Sequence, residues 1–155
     1  MSSRFYIKKL TTNELGYRKG KLSTGQMFYI SKQAAEFFPT LSPHVNNDYA
    51  ILEISVEYRR DPVFVNLVWH NDKLNREKGT RNEYRIYLNQ DIAPDIYFFR
   101  PGDIILFERI GENVYYLKKI REGDHAYGHL NTLISKNKIR GAHALLNELE
   151  QDESS

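Results

Sequence analysis

Residues 77–89 read EKGTRNEYRIYLN, and the fold turns on how the central TRNEYRI, residues 80–86, is laid out. As a β-strand, whose side chains alternate between faces, it places Arg81, Glu83 and Arg85 on one face and Asn82, Tyr84 and Ile86 on the other. A solvated edge strand blunted by its charges is one reading of that row. The other is a surface that reads nucleic acid. An arginine bridges O6 and N7 of guanine with two bonds, and a glutamate accepts from the N4 amine of cytosine. A carboxylate among cations opposes phosphate, so Glu83 between two arginines points to selective reading. A salt bridge that holds the arginines in place is compatible with either.

Outward from this stretch, period-two alternation recurs. YAILEISVEY puts Ala50, Leu52, Ile54, Val56 and Tyr58 on one face, and VFVNLVWH does the same for Val63, Val65, Leu67 and Trp69. RRDP between them marks a hairpin or corner, because proline cannot sit in a central ladder. DIILFERI and VYYLKKI flank GEN as a tight hairpin of branched and aromatic residues. FYIKKL near the start and QMFYI at 26–30 bring the expected strands to about seven, spaced as in small barrels and sandwiches. Helix is scarcer. Ser31 caps KQAAEFF, which Pro39 ends; a second turn is expected in APDIYFF; and GAHALLNELEQDESS has helical periodicity leading into a linker.

The chain's 155 residues suit one domain with a short appendage. Its net charge of +2 conceals an asymmetry. From Arg4 to Lys32 seven basic residues face the single acid Glu14, whereas from Leu145 onward there are four acids and no base. The basic segment suits a polyanion, and the acidic end reads as a solvated tail. There is no cysteine, which excludes disulfide scaffolds, thiolate zinc sites and cysteine nucleophiles. No apolar run reaches the length of a membrane span and the start lacks a signal-peptide core, so a cytoplasmic protein without membrane partners is expected.

Enzyme motifs are poorly supported. DYAILEISVEYR offers Asp48, Glu53 and Glu57, but where a metal-dependent nuclease of the commonest restriction type sets a lysine one residue beyond its second carboxylate, Ser55 and Arg59 stand instead. His125 and His129 have the spacing of zinc ligands on a helix but lack the intervening glutamate and a nearby third ligand; with His44, His70 and His143 they read as ordinary histidines. GYRKGKLSTGQ, residues 16–26, is more informative: glycines, three cations, hydroxyls and an amide lie between two short strands. Cations and hydroxyls serve phosphate, and glutamine can pair with an adenine edge.

KGTRNEYRI resembles the TRNE recognition arm of the EcoRII-type N-terminal effector-binding domain, and FYIKKLTTNELG is similar to that domain's opening strand. YISKQAAEFFP resembles the strand, helix and proline that follow the family's other arm, and FFRPGDIILFERI is similar to the penultimate strand of the plant B3 DNA-binding pseudobarrel, whose fold that family shares. The likeness spans roughly residues 5–121, in order. It implies a mainly β fold with two or three short helices, a seven-stranded B3-like pseudobarrel over residues 1–124, and a helical extension with an acidic linker stub over 125–155.

The function so implied is double-stranded DNA binding by a type II restriction endonuclease domain, gripping the major groove of a short GC-rich site, CCWGG first among them. The arms would be residues 16–29 and 78–87. Base reading falls to Arg81, Asn82, Glu83 and Arg85, with Thr24 or Gln26 as substitutes for residues the family carries before its second strand. Phosphate binding falls to Arg18, Lys19, Lys21, Ser23, Tyr29, Lys78 and Thr80, and the basic start adds Lys8 and Lys9 as candidates. No catalytic residue, metal ligand or cofactor is expected in this chain. Mg²⁺ would serve only a nuclease domain elsewhere in the parent protein, as in single-chain enzymes of the UbaLAI type. A monomer is expected, since an asymmetric two-arm grip needs no two-fold axis. The alternative is a B3-like or RNA-binding regulatory module without a nuclease, its eleven tyrosines stacking on unpaired bases.

Overall fold

Branched and aromatic residues in alternation build the longest strands of the computed structural model, which describes residues 3–18, 21–22, 26–137 and 143–147. β1 is Phe5–Lys9, and a two-stranded hairpin pairs β2 (Tyr17–Arg18) with β3 (Lys21–Leu22). β4 (Met27–Ile30) leads into a 3-10 helix, Lys32–Phe37, whose N-cap Ser31 accepts from the Gln33 N–H. β5 (Tyr49–Val56) and β6 (Val63–His70) form an antiparallel pair, followed by the single helical turn α1 (Asp72–Asn75) and β7 (Glu83–Tyr87). β8 (Ile104–Gly111) and β9 (Val114–Ile120) make a hairpin at GEN, where Asn113 takes a φ of 62°. α2 (Tyr127–Asn137) and β10 (His143–Leu146) complete the described elements.

Eight strands form one sheet in the order β10-β1-β8-β9-β5-β6-β7-β4, parallel only between β5 and β9. All seven expected strands are present, and β10 is the eighth. The sheet curls around an aromatic core: Phe28 of β4 meets Phe107 of β8 at 6.3 Å, although five ladders separate their strands. Tyr6, Phe37, Phe38 and Tyr115 pack in the same core, in tilted and edge-on contacts that aromatic rings favour. Side chains, rather than a ladder, join β1 to β4. The Lys8 ammonium donates to the Tyr29 carbonyl at 2.8 Å and pairs with the buried Glu14. The barrel is therefore open in hydrogen bonding and closed in packing.

Two helical expectations are corrected. APDIYFF forms turns, because Asn89 and Asp95 side chains accept from the N–H groups two residues on and hold the backbone out of helix. Within GAHALLNELE the periodicity predicts helix, but residues 143–146 are a strand, pairing Leu146 with Phe5 and His143 with Lys8. Tertiary pairing overrides a weak local preference. The helix of this region is α2, whose Leu130 and Ile134 cover a second apolar layer with Phe5, Ile7, Leu106 and Ile120. Among the described residues, no helix is long and apolar enough to cross a membrane.

Candidate nucleic-acid interface

β7 runs between β6 and β4, and its alternation sorts its side chains. Tyr84 and Ile86 are buried, and the Tyr84 ring stacks on Trp69 with centroids 5.0 Å apart. Glu83, Arg85 and Tyr87 lie on the opposite, outward face. The strand begins at Glu83, so Arg81 and Asn82 precede it rather than continue the ladder.

Those two residues are nevertheless fixed. Asp72 Oδ1 accepts the Arg81 N–H at 2.7 Å, and the Lys73 N–H donates to the Arg81 carbonyl at 3.0 Å. The bond from the Arg81 N–H, aided by that residue's charge and by the Thr80 and Lys73 N–H groups, outweighs desolvation and holds the Asp72 carboxyl below its ordinary pKa. Gly79 lets the loop close on α1: a Cβ there would lie 1.9 Å from the Asp72 carbonyl oxygen. Asn82 Oδ1 accepts from the Trp69 indole at 2.8 Å, so its carbonyl end serves the fold and its amide end is the part available to a base. Lys78 and Thr80 are exposed on the same loop.

Arg85 is held on three sides. Glu83 pairs with its guanidinium, the Tyr87 hydroxyl two residues on along the same face favours its cation, and the Tyr29 ring lies 5.3 Å away on the paired strand. Burial disfavours the Arg85 cation, but the bonds to Tyr87 and Glu83 outweigh it and raise the pKa. Five N–H donors in a rigid fork exceed what these partners use, leaving capacity for an external acceptor. His70, opposite Glu83 on β6, completes the row: its Nε2 lies 2.6 Å from the Tyr87 hydroxyl.

The segment expected to form the N-terminal arm is anchored where it enters β4. Met27 N–H donates to the Glu14 carbonyl at 3.0 Å, and Glu14 Oε2 accepts the Tyr29 N–H at 2.7 Å. Gln26 donates through Nε2 to the Leu15 and Ile96 carbonyls, at 3.3 and 2.8 Å, a use that accounts for the amide without a base. Lys8 corrects an expectation: 7% exposed and paired with Glu14, it is a core residue and not a phosphate ligand. Arg18 and Lys21 pair across the β2–β3 hairpin. Lys19, Ser23 and Thr24 lie outside the described residues.

Sequence reasoning thus locates Glu83, Arg85, Tyr29 and Arg81 in one neighbourhood but misses Tyr87, His70, Asp72 and Gly79. Alternation carried the signal for the first two: Tyr87 continues Glu83 and Arg85, and His70 continues Asn66 and Val68 on the outward face. Among the described residues no group of three His, Asp or Glu is placed to hold a metal ion.

No protein-family model matches the chain, and no curated protein matches it in sequence. Solved structures do. The N-terminal domain of Helicobacter pylori LlaJI.R1 superposes with a TM-score of 0.61 at 18% identity, over 92% of this chain and 97% of that one. The B3 domain of the UbaLAI restriction endonuclease, solved with its cognate DNA, gives a TM-score of 0.54 at 17% identity, over 94% of this chain and 87% of that one. The fold is that of a B3-like domain. Its B3-like sheet matches the resemblance drawn from TRNEYRI, with eight strands in place of seven and the β2–β3 hairpin beside it.

Proposed function

We propose that this B3-like domain binds double-stranded DNA sequence-specifically within a restriction system, reading the major groove with the outward face of β7 and the loop before it. One observation carries the reading: Arg85, held by Glu83 and Tyr29, stands on the outward face of β7, and the loop just before that strand fixes the backbone of Arg81. A guanidinium held in place while retaining donors is what bidentate guanine recognition needs. The likeness to a B3 domain solved with cognate DNA supports a duplex as the ligand. Arg81, Arg85 and Glu83 read bases, with the Asn82 amide beside them. Arg18, Lys19, Lys21, Ser23, Lys78 and Thr80 meet phosphates, and Tyr29 supports Arg85.

The two arms, residues 16–29 and 78–87, grip a short GC-rich site, and CCWGG is the first sequence to try. Binding needs no cofactor, the domain acts as a monomer, and cleavage with Mg²⁺ belongs to a nuclease domain in the parent protein. Selection of bound sequences from a random duplex pool tests this reading, with single strands as competitors. The expected result is one enriched short consensus and weak competition by single strands. Preference for single strands would favour the RNA-binding alternative instead.

A further inference from the structure

His70 ends β6 on the outward face and is only 9% exposed. Its ring makes two bonds. Nδ1 lies 3.3 Å from Asn47 Oδ1, and Nε2 lies 2.6 Å from the Tyr87 hydroxyl. A carbonyl oxygen only accepts, so Nδ1 is assigned the ring proton; Nε2 is then the acceptor and the Tyr87 hydroxyl donates to it. With its proton turned to His70, Tyr87 keeps lone pairs for Arg85, two residues back on the same face of β7, whose cation the Tyr87 hydroxyl favours. Asn47, His70, Tyr87 and Arg85 thus form a directed chain that ends on the guanidinium.

The direction of that chain depends on the charge of the imidazole. A second proton makes Nε2 a donor, and both ring nitrogens then donate. Tyr87 must accept from His70, its own proton turns away, and His70 and Arg85 compete for one oxygen. The charge would arise among charges: Arg81 from the loop before β7, Glu83 and Arg85 from β7, and Asp72 from α1 all act on the ring. Asn47, the remaining polar partner, is uncharged.

Resting on the DNA-reading role of Arg85, the geometry points to His70 as a positioning residue for sequence discrimination: neutral, it fixes Arg85 through Tyr87; protonated, it releases Arg85, and specificity is lost in acid. Burial, followed by the Arg81 and Arg85 charges, pushes His70 below its ordinary pKa against the opposing pull of Glu83 and Asp72. The loss therefore lies below the usual histidine range.

The test measures binding of the selected duplex and of a scrambled duplex of equal length, from about pH 8 to about pH 5 at fixed salt. For the wild-type chain the ratio of the two affinities should fall about tenfold or more on the acid side, while scrambled binding holds or strengthens with the added charge. His70→Gln supplies a neutral acceptor of similar reach, and its ratio should be flat with pH and within about threefold of the wild-type alkaline value. Tyr87→Phe should give a low, pH-independent ratio with a melting temperature close to wild type. A ratio that does not change with pH in the wild-type chain, or an acid fall that persists in His70→Gln, overturns the proposal while leaving duplex reading intact. Absence of any preferred duplex at alkaline pH overturns both.

Discussion

Arg85 and Tyr29 face each other across the β4–β7 ladder, the guanidinium carbon 5.3 Å from the ring centroid. The contact joins the two proposed arms, since Tyr29 closes residues 16–29 and Arg85 belongs to residues 78–87. Tyr29 itself is fixed from behind, its N–H bonded to Glu14 and its carbonyl to Lys8. Tyr29→Ala removes a cation–π contact worth about 0.5–2 kcal/mol and should weaken specific binding by that order. Tyr29→Phe should retain most of it, as affinities for the two variants will show.

The Lys8–Glu14 pair should be costly to break and cheap to replace. Glu14 is fully buried and Lys8 nearly so, and among the described residues Glu14 is the carboxylate that pairs with the Lys8 ammonium. Glu14→Ala leaves a buried charge uncompensated and should cost about 3–5 kcal/mol in urea denaturation. A double change to apolar residues of similar volume should recover much of that loss.

Gly79→Ala should disturb the loop that presents Arg81. The added methyl would meet the Asp72 carbonyl oxygen at 1.9 Å, so backbone must move at a cost of about 1–3 kcal/mol. Specific binding should fall more than scrambled binding, because Lys78 can still reach phosphate while Arg81 loses its bond to Asp72. Equal losses would detach Arg81 from base reading.

These last two features mark where sequence was silent. Leu52, Ile54 and Val56, with Val63, Val65 and Leu67, announce β5 and β6 because one face is buried and one is wet. β10 was hidden, since HALL has no alternation of its own and becomes a strand only by pairing with β1, some 140 residues earlier. Glu83 and Arg85 were legible as an outward row from alternation alone. Lys8 was misjudged by the same logic: a lysine in a basic segment reads as surface, and only the fold brings Glu14 and the Tyr29 carbonyl to its ammonium. The bonds from the Gln26 amide to the Leu15 and Ile96 carbonyls were equally hidden, because they depend on how distant segments fold together.

Duplex affinity should fall steeply with salt. With Lys8 excluded, about five of the remaining cations, among them Arg18, Lys19, Lys21 and Lys78, would give a slope of log K against log salt of roughly −4 to −5. Titrations at several salt concentrations check this, and a slope near zero would remove the phosphate contacts.

The central claim is that the outward face of β7 reads sequence, and Glu83 tests it most directly. Glu83 pairs with Arg85, so a purely structural carboxylate and a base-reading one predict different outcomes on removal. The decisive measurement is the affinity of Glu83→Gln for the selected and scrambled duplexes, with its melting temperature as control. The account predicts that selected-site binding weakens by about 1–3 kcal/mol while scrambled binding holds or strengthens, because a repulsive charge has left the surface. A lower melting temperature with an unchanged ratio of the two affinities would contradict it.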